Sequence, residues 1–308
     1  MIAFLFPGQG SQRPGLLSET AAAFDAYELF KSASAVLGFD VLRDDDERAL
    51  KRTEIVQRNI FLAGVAGARA LERAGIRAQA VAGHSIGAFA AATTAGVISF
   101  DDALTLVDRR GRAMARAFGP GYAMAAICGL GEREVATIAG SLVAPDAAYV
   151  AGVNAPDQVV ISGSERSVEE SLEIARARGA RTACRLEIDV PSHTPLMNGV
   201  RAELEQAFAT VALHRSAIAI AANVDGRALF DQHDVARDLI DGVALPVRWY
   251  DATQMLFERG VDCFIEAFLG ETLTALAESA FPEACTMSLG RVSLGSAIAR
   301  ARRHVAAH

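Results

Sequence analysis

Cysteine is scarce in this chain, and what there is of it is scattered. Cys128, Cys184, Cys263 and Cys285 form no C-x-x-C pair and have no histidine at metal-ligand spacing, which argues against both a zinc site and a disulfide framework. They are expected to be buried or inert thiols. Long apolar runs are also lacking: none approaches the ~20 residues that cross a bilayer, so no membrane partner is expected. The N-terminus, Met1-Ile2-Ala3-Phe4-Leu5-Phe6-Pro7, lacks the basic segment and small-residue cleavage site of a signal peptide; it reads as a first buried strand and points to a cytoplasmic protein. Lysine occurs only at Lys31 and Lys51, so the basic residues are nearly all arginine, and they are dispersed. With a net charge of −7, no continuous patch exists for a nucleic-acid backbone. The cluster Arg300, Arg302 and Arg303 reads as a solvated helix end. What is there is 308 residues, 51% hydrophobic and 22% charged, the balance of a soluble globular enzyme. The length suits one large domain, or a large domain carrying a smaller one.

Periodicity and breakers predict an α/β pattern up to about residue 117: strands at 2–6 and 78–82 alternate with helices near 20–37, 57–75, 86–96 and 101–117. From Tyr122 the rhythm changes to strand 123–128, helix 132–141, strands 148–153 and 158–162, helix 167–178 and strand 182–188. That is βαββαβ, the order of a ferredoxin-like subdomain. Asn154-Ala155-Pro156-Asp157 supplies the turn between its central strands, and Gly179 closes its second helix. After Val190 the first pattern returns, with helices near 196–212, 234–242 and 247–259 and strands near 217–221 and 262–266. The expected organisation is a core of residues 1–121 and 191–308 with residues 122–190 inserted as the subdomain.

Ala82-Gly83-His84-Ser85-Ile86-Gly87 is a G-x-S-x-G match set between an apolar strand and an alanine-rich helix. That context can hold a serine exposed as a nucleophile, with the N–H of Ile86 at a helix N-terminus where negative charge is favoured. A plain glycine-rich turn is the competing reading. A nucleophilic serine needs a base, and histidine is the usual choice. His304 and His308 fall in a frayed tail, His214 and His233 in polar surroundings, and His84 adjoins the serine and is better placed to support the turn. His193, in Val190-Pro191-Ser192-His193-Thr194-Pro195, sits between a strand end and a helix start, where catalytic groups of α/β sheets gather. A structural role for it stays open. The loop Pro7-Gly8-Gln9-Gly10-Ser11-Gln12 follows the first strand; it lacks the Lys-Ser/Thr of a phosphate-binding loop and fits better as the donor of a second N–H to an oxyanion. In Arg109-Arg110-Gly111, one arginine is expected in solvent, and the other could turn into the cleft and hold a carboxylate by two parallel hydrogen bonds. Two solvent-facing salt bridges would be the alternative.

Taken together, these segments resemble the malonyl-CoA:acyl carrier protein transacylase family. The matching pieces are Phe6-Pro7-Gly8-Gln9-Gly10-Ser11-Gln12, Gly83-His84-Ser85-Ile86-Gly87, Leu106-Val107-Asp108-Arg109-Arg110-Gly111, the run from Asn154 to Gly163, and Val190-Pro191-Ser192-His193. They span nearly the whole chain in the family's order. The resemblance implies an α/β-hydrolase-like core with a parallel sheet and an inserted ferredoxin-like subdomain. It implies Ser85 as nucleophile, His193 as general base and acid, the backbone N–H groups of Gln9 and Ile86 as oxyanion hole, and Arg110 as the ligand of the malonyl carboxylate. A backbone carbonyl near Gly242 would orient the histidine in place of an aspartate. No metal and no tightly bound cofactor are implied; malonyl-CoA is the substrate, and the acceptor is the phosphopantetheine-type arm of an acyl carrier protein.

Departures from the family pattern bear on subtype. Where fatty-acid enzymes commonly have Glu after the elbow this chain has Ala88-Phe89, and it reads Gly121-Tyr122 before Met124. Both resemble the acyltransferase (epsilon) subunit of malonate decarboxylase, which would add that enzyme's other subunits as partners. The transacylase of fatty acid or polyketide biosynthesis is the alternative. More remote are a serine hydrolase, for which Arg110 and the subdomain are unneeded, and a non-catalytic docking subunit. Phe268-Leu269-Gly270 stands where the family has a Pro-Gly turn, which leaves the conformation of that loop open.

Overall fold

A computed structural model describes residues 1–141 and 147–307. Among the described residues ten strands form two sheets: β1 (Ile2–Phe6), β2 (Ala80–Gly83), β3 (Tyr122–Cys128), β4 (Ala148–Ala155), β5 (Gln158–Ser164), β6 (Thr182–Leu186), β7 (Ala219–Ala221), β8 (Ala228–Leu229), β9 (Cys263–Glu266) and β10 (Cys285–Ser288). The main sheet has the order β10-β9-β1-β2-β7-β8 and is parallel except for β8, which runs antiparallel to β7. Its central strand β1 is buried along its whole length, as a strand covered on both faces must be, and its run Ile-Ala-Phe-Leu-Phe is accordingly apolar throughout. Phe4 and Phe6 enter one core and Ala3 and Leu5 the other, following the period of two.

The second sheet lies wholly within residues 122–186, in the order β4-β5-β3-β6 with every neighbouring pair antiparallel. With helices Glu132–Gly140 and Glu165–Ala177 this is the ferredoxin-like arrangement that the βαββαβ pattern predicts. The β4–β5 hairpin turns at Pro156-Asp157, and Gly179 takes a left-handed φ of 89° just past its helix. The small sheet is tied to the core by backbone bonds between Val153 N and Val247 O (2.9 Å) and between Val247 N and Ala151 O (3.0 Å). Arg248 adds ion pairs to Glu132 (2.5 Å) and Asp251 (2.7 Å).

Several expectations change in the structure. The helical stretch at 20–37 is two helices, Leu16–Phe24 and Tyr27–Leu37, broken where Asp25 adopts a φ of 50°. The stretch at 196–212 is shorter, a turn of 3₁₀ helix at Pro195–Met197 followed by an α-helix at Asn198–Phe208. Beyond Glu266 lie helix Thr272–Ala280, strand β10 and helix Leu294–Ala307, none of which the periodicity separates. His304 therefore sits half-buried in an ordered helix, 2.9 Å from Asp262, and not in a frayed tail; His308 lies outside the described residues. Arg300, Arg302 and Arg303 are exposed on that same helix, with Arg302 bonded to Ala74 O at 2.8 Å. Of the cysteines Cys263 is buried, Cys128 and Cys285 are half-buried and Cys184 is exposed, so burial holds for one thiol only. The Phe268-Leu269-Gly270 loop is pinned by the fully buried Phe268 ring and by Arg13, whose Nη1 donates to Leu269 O at 2.6 Å. Among the described residues, no helix is long and apolar enough to cross a membrane.

Candidate active site

Parallel strands deliver their carboxyl ends to one edge of the sheet, and the loops leaving that edge gather there. β1 leads to Gln9, β2 to Ser85 and β7 to Asn223. Ser85 has a φ of 54°, one of three non-glycine residues in the left-handed region among the described residues, a strain of about 1–3 kcal/mol that the surroundings must hold. Both flanking glycines are required by contact. A Cβ on Gly83 would stand 2.2 Å from the Gly87 carbonyl carbon, and one on Gly87 would stand 2.1 Å from Phe6 O. Neither obstacle can move aside, because both are backbone. Gly87→Ala is therefore expected to cost about 3 kcal/mol or more, at the upper end of overpacking penalties, and to abolish activity. Thermal melting and turnover check it; a stable, active variant would show that the elbow tolerates being pushed off β1.

The loop after β1 lies against this elbow. A Cβ on Gly8 would lie 3.0 Å from His84 Nδ1 and 3.6 Å from Ser85 Cβ. Among the described residues the backbone N–H groups of Gln9 and Ile86 have no intramolecular acceptor, and both belong to segments bordering Ser85. The N–H of Ser85 itself is taken, donating to Asn223 Oδ1 at 2.8 Å. His84 does not approach as a base. Its Nε2 lies 3.1 Å from Asn154 Oδ1 on the small sheet, and its ring packs on Trp249 with centroids 5.6 Å apart.

His193 is 5% exposed and takes a φ of 64°. Its Nδ1 lies 2.6 Å from the carbonyl oxygen of Gly242, and its N–H donates to Val243 O at 2.9 Å. A carbonyl can only accept, so Nδ1 carries the proton and Nε2 keeps the lone pair of a base. Gly242 directly follows helix Gln232–Asp241, whose carboxyl end favours a positive charge on the ring it orients. Burial, with the nearby charges of Arg110 and then His84, pushes the His193 pKa down to about 3. The imidazole of the free enzyme is then neutral at any ordinary pH. Acylation measured as kcat/KM at pH 6 is expected to stay within about twofold of its value at pH 8, whereas an imidazole with a pKa near 6.5 would have lost about three quarters of its base form. A fourfold fall would contradict the geometry of this pocket. Ser85 Oγ makes no direct hydrogen bond to His193 in this structure; it accepts from Arg110 Nη2 at 3.3 Å.

Arg110 is 2% exposed, while Arg109 beside it is exposed, which separates the pair as the sequence suggested. The helix Phe100–Ala117 crosses the helix Thr53–Arg73 at Gly111, where a Cβ would stand 2.6 Å from Glu54 Cα. That close crossing sets Arg110 against Gln57, whose Oε1 accepts from Arg110 Nη1. Gln57 Nε2 donates in turn to Thr53 Oγ1 (3.1 Å), and Thr53 Oγ1 to Gln9 Oε1 (3.3 Å). Among the described residues no carboxylate pairs with Arg110, and burial lowers its pKa to about 10. A buried guanidinium with only neutral partners costs several kcal/mol and is relieved by an anion. Gln57, Thr53 and Asn223 were not singled out from the sequence, and Asn154 was read there only as part of a turn and of a family-like segment, not as a partner of His84. For Asn223 a signal existed: it is a polar side chain just past a parallel strand at the edge where sites form.

A model of the acyl transferase domain family matches residues 3–297. The chain is a member of that family. As an acyltransferase it is similar to the malonyl CoA-acyl carrier protein transacylase of Escherichia coli K12, with 34% identity over 282 residues that cover 90% of this chain and 91% of that protein. Among solved structures it resembles the malonyl CoA-acyl carrier protein transacylase of Coxiella burnetii, with a TM-score of 0.92, 32% identity and 97% of each chain covered. It is also similar to a malonyl-transacylase solved in complex with its type II polyketide acyl-carrier protein, with a TM-score of 0.91 and 30% identity over 97% of this chain and 99% of that one.

Proposed function

We propose that this acyltransferase moves malonyl from malonyl-CoA to the phosphopantetheine thiol of an acyl carrier protein. The observation that carries the reading is the buried guanidinium of Arg110, with no acidic partner among the described residues and 3.3 Å from the elbow hydroxyl. It supplies a fixed positive charge where the free carboxylate of a dicarboxylic acyl group would lie. Ser85 Oγ attacks the thioester carbonyl as His193 Nε2 takes its proton; the oxyanion is held by the N–H groups of Gln9 and Ile86, and the protonated His193 returns the proton to the leaving CoA thiolate. The carrier thiol then reverses these steps on malonyl-Ser85. Arg110 also links recognition to base strength. Its charge is the second cause, after burial, of the low His193 pKa, and a bound carboxylate offsets that charge and makes the imidazole a better proton acceptor. The division into a core of 1–121 and 191–308 and a subdomain of 122–190 belongs to the same proposal, with the cleft between them as the route to Ser85.

The transacylases among the relatives favour an ordinary carrier of fatty acid or polyketide synthesis over the malonate decarboxylase subunit favoured by the sequence. The residues behind the decarboxylase reading have local packing roles. Ala88 and Phe89 are buried under the elbow, with Phe89 6.3 Å from Phe208, and Tyr122 packs edge-on to Phe118 at 5.1 Å. Loading the enzyme from malonyl-CoA and offering both carriers, with transfer followed by intact mass, tests the choice. Transfer to the phosphopantetheinyl carrier is expected; transfer only to a decarboxylase carrier would reinstate the subunit reading, and release of free malonate without either carrier would favour a hydrolase.

A further inference from the structure

The strained elbow and the orienting carbonyl share one support, and neither the G-x-S-x-G motif nor the histidine segment contains it. Asn223 is 4% exposed and spans the elbow: Oδ1 accepts from Ser85 N at 2.8 Å while Nδ2 donates to Gly83 O at 2.8 Å. A change in the φ of Ser85 breaks at least one of these bonds. The first also keeps the Ser85 N–H out of the oxyanion site, so that Ile86 and Gln9 are its donors. Asn223 is fixed in turn by Asp238, whose Oδ2 accepts from Asn223 N at 3.0 Å and Oδ1 from Val224 N at 2.9 Å. Asp238 lies on helix Gln232–Asp241, and its backbone carbonyl accepts from Gly242 N at 2.8 Å. The carbonyl of the same residue, Gly242, is the one that holds His193 Nδ1 at 2.6 Å.

We propose that Asn223 and Asp238 are positioning residues for acyl transfer, a two-residue clamp that fixes the Ser85 backbone and the Gly242 carbonyl relative to each other. Ser85 leaves β2 and His193 follows β6, so nothing in their own segments sets their separation. The clamp does: Asn223 leaves β7 beside β2, and the Asp238 carboxylate joins it to the helix that ends at Gly242. Burial raises the Asp238 carboxyl to about 6 against the pull of its two N–H donors, so it is mainly ionised at neutral pH and binds both backbone groups strongly. The inference rests on the assignment of Ser85 and His193 and not on the identity of the acyl group.

The test is the pre-steady-state rate of Ser85 acylation in the full-length enzyme, measured with malonyl-CoA and with p-nitrophenyl acetate, for Asn223→Ala, Asn223→Asp and Asp238→Asn. Asn223→Ala is expected to slow acylation by about 10²-fold with both donors, with KM for malonyl-CoA changed much less, because misplacement of reacting groups acts on the chemical step. Asn223→Asp retains the acceptor but loses the donor to Gly83 O while ionised. That carboxyl shares a small pocket with Arg110 and Asp238 and regains the donor when protonated. Asp238, raised to about 6, takes up a proton over the same range in both proteins, so the rate is read against wild type at each pH, and this ratio is expected to rise as pH falls from 8 to 5. Asp238→Asn should slow acylation less than Asn223→Ala, since one acceptor oxygen remains. Wild-type rates in Asn223→Ala, or losses in Asn223→Asp that are the same at every pH and track a fall in melting temperature, would overturn the proposal. Failure of the wild type with malonyl-CoA alone, with p-nitrophenyl acetate still acylating Ser85, would count against the malonyl reading and leave the clamp standing.

Discussion

Arg110→Ala is expected to lower kcat/KM for malonyl transfer by about 10²–10⁴-fold, in line with the 3–5 kcal/mol that removal of one partner from a buried charge pair costs. Acetyl transfer should move the other way relative to malonyl. In the wild type an acetyl group would leave the guanidinium, 2% exposed and bonded to Gln57 and Ser85, without an anion. In the variant that penalty is gone, and a neutral methyl group meets a neutral pocket. The two acyl-CoA substrates are to be compared under single-turnover conditions on the same preparations. Equal losses for both would mean that Arg110 serves only to brace the helix crossing at Gly111. Arg110→Lys should recover little, because an ammonium cannot present the two parallel N–H groups that a carboxylate accepts while also reaching Gln57.

The other large effect is expected from Ser85→Ala, which should reduce acyl transfer by at least about 10⁴-fold by removing the atom that carries the acyl group. Alanine keeps the Cβ and the left-handed φ of 54°, and the Asn223 contacts to the backbone remain possible, so melting should change little. Ser85→Gly should be at least as stable as wild type and equally inactive, since glycine adopts that conformation without penalty. Activity retained in Ser85→Ala would place the nucleophile elsewhere, and loss of folding in both variants would show that the hydroxyl is structural.

Much of the candidate site was legible because its residues lie in short segments. The Ser85 elbow and Arg110-Gly111 each set a reactive or positive group beside a glycine that allows a close approach, and Gly8-Gln9 and His193 each lie in a loop past a strand end. The βαββαβ order was legible for a related reason: β3 to β6 are bounded by clear turns at Pro156-Asp157 and Gly179. The supports were not legible. Asn223, Asp238 and Gln57 act through contacts 138, 15 and 53 residues away in sequence, and amides or carboxylates on helices and strand ends carry no local mark of such roles. The end of the chain was missed for another reason. β10 is only four residues long and pairs Cys285 with Cys263 and Ser288 with Glu266, so it is held by its neighbour β9 more than by its own pattern. The half-buried His304 was missed for a related reason: the last helix was expected to end at the arginines 300–303, with a frayed tail beyond, and it runs on through His304.

The central claim, that Ser85 accepts malonyl and passes it on, is tested most directly by intact mass spectrometry of the wild-type enzyme. The protein is mixed with malonyl-CoA without carrier, digested to locate any adduct, and then given a phosphopantetheinyl acyl carrier protein. The expected result is one malonyl group per chain on the peptide containing Ser85, stable until the carrier is added and then found on the carrier. No adduct, or an adduct on another residue, would contradict the assignment of the elbow as the acyl acceptor.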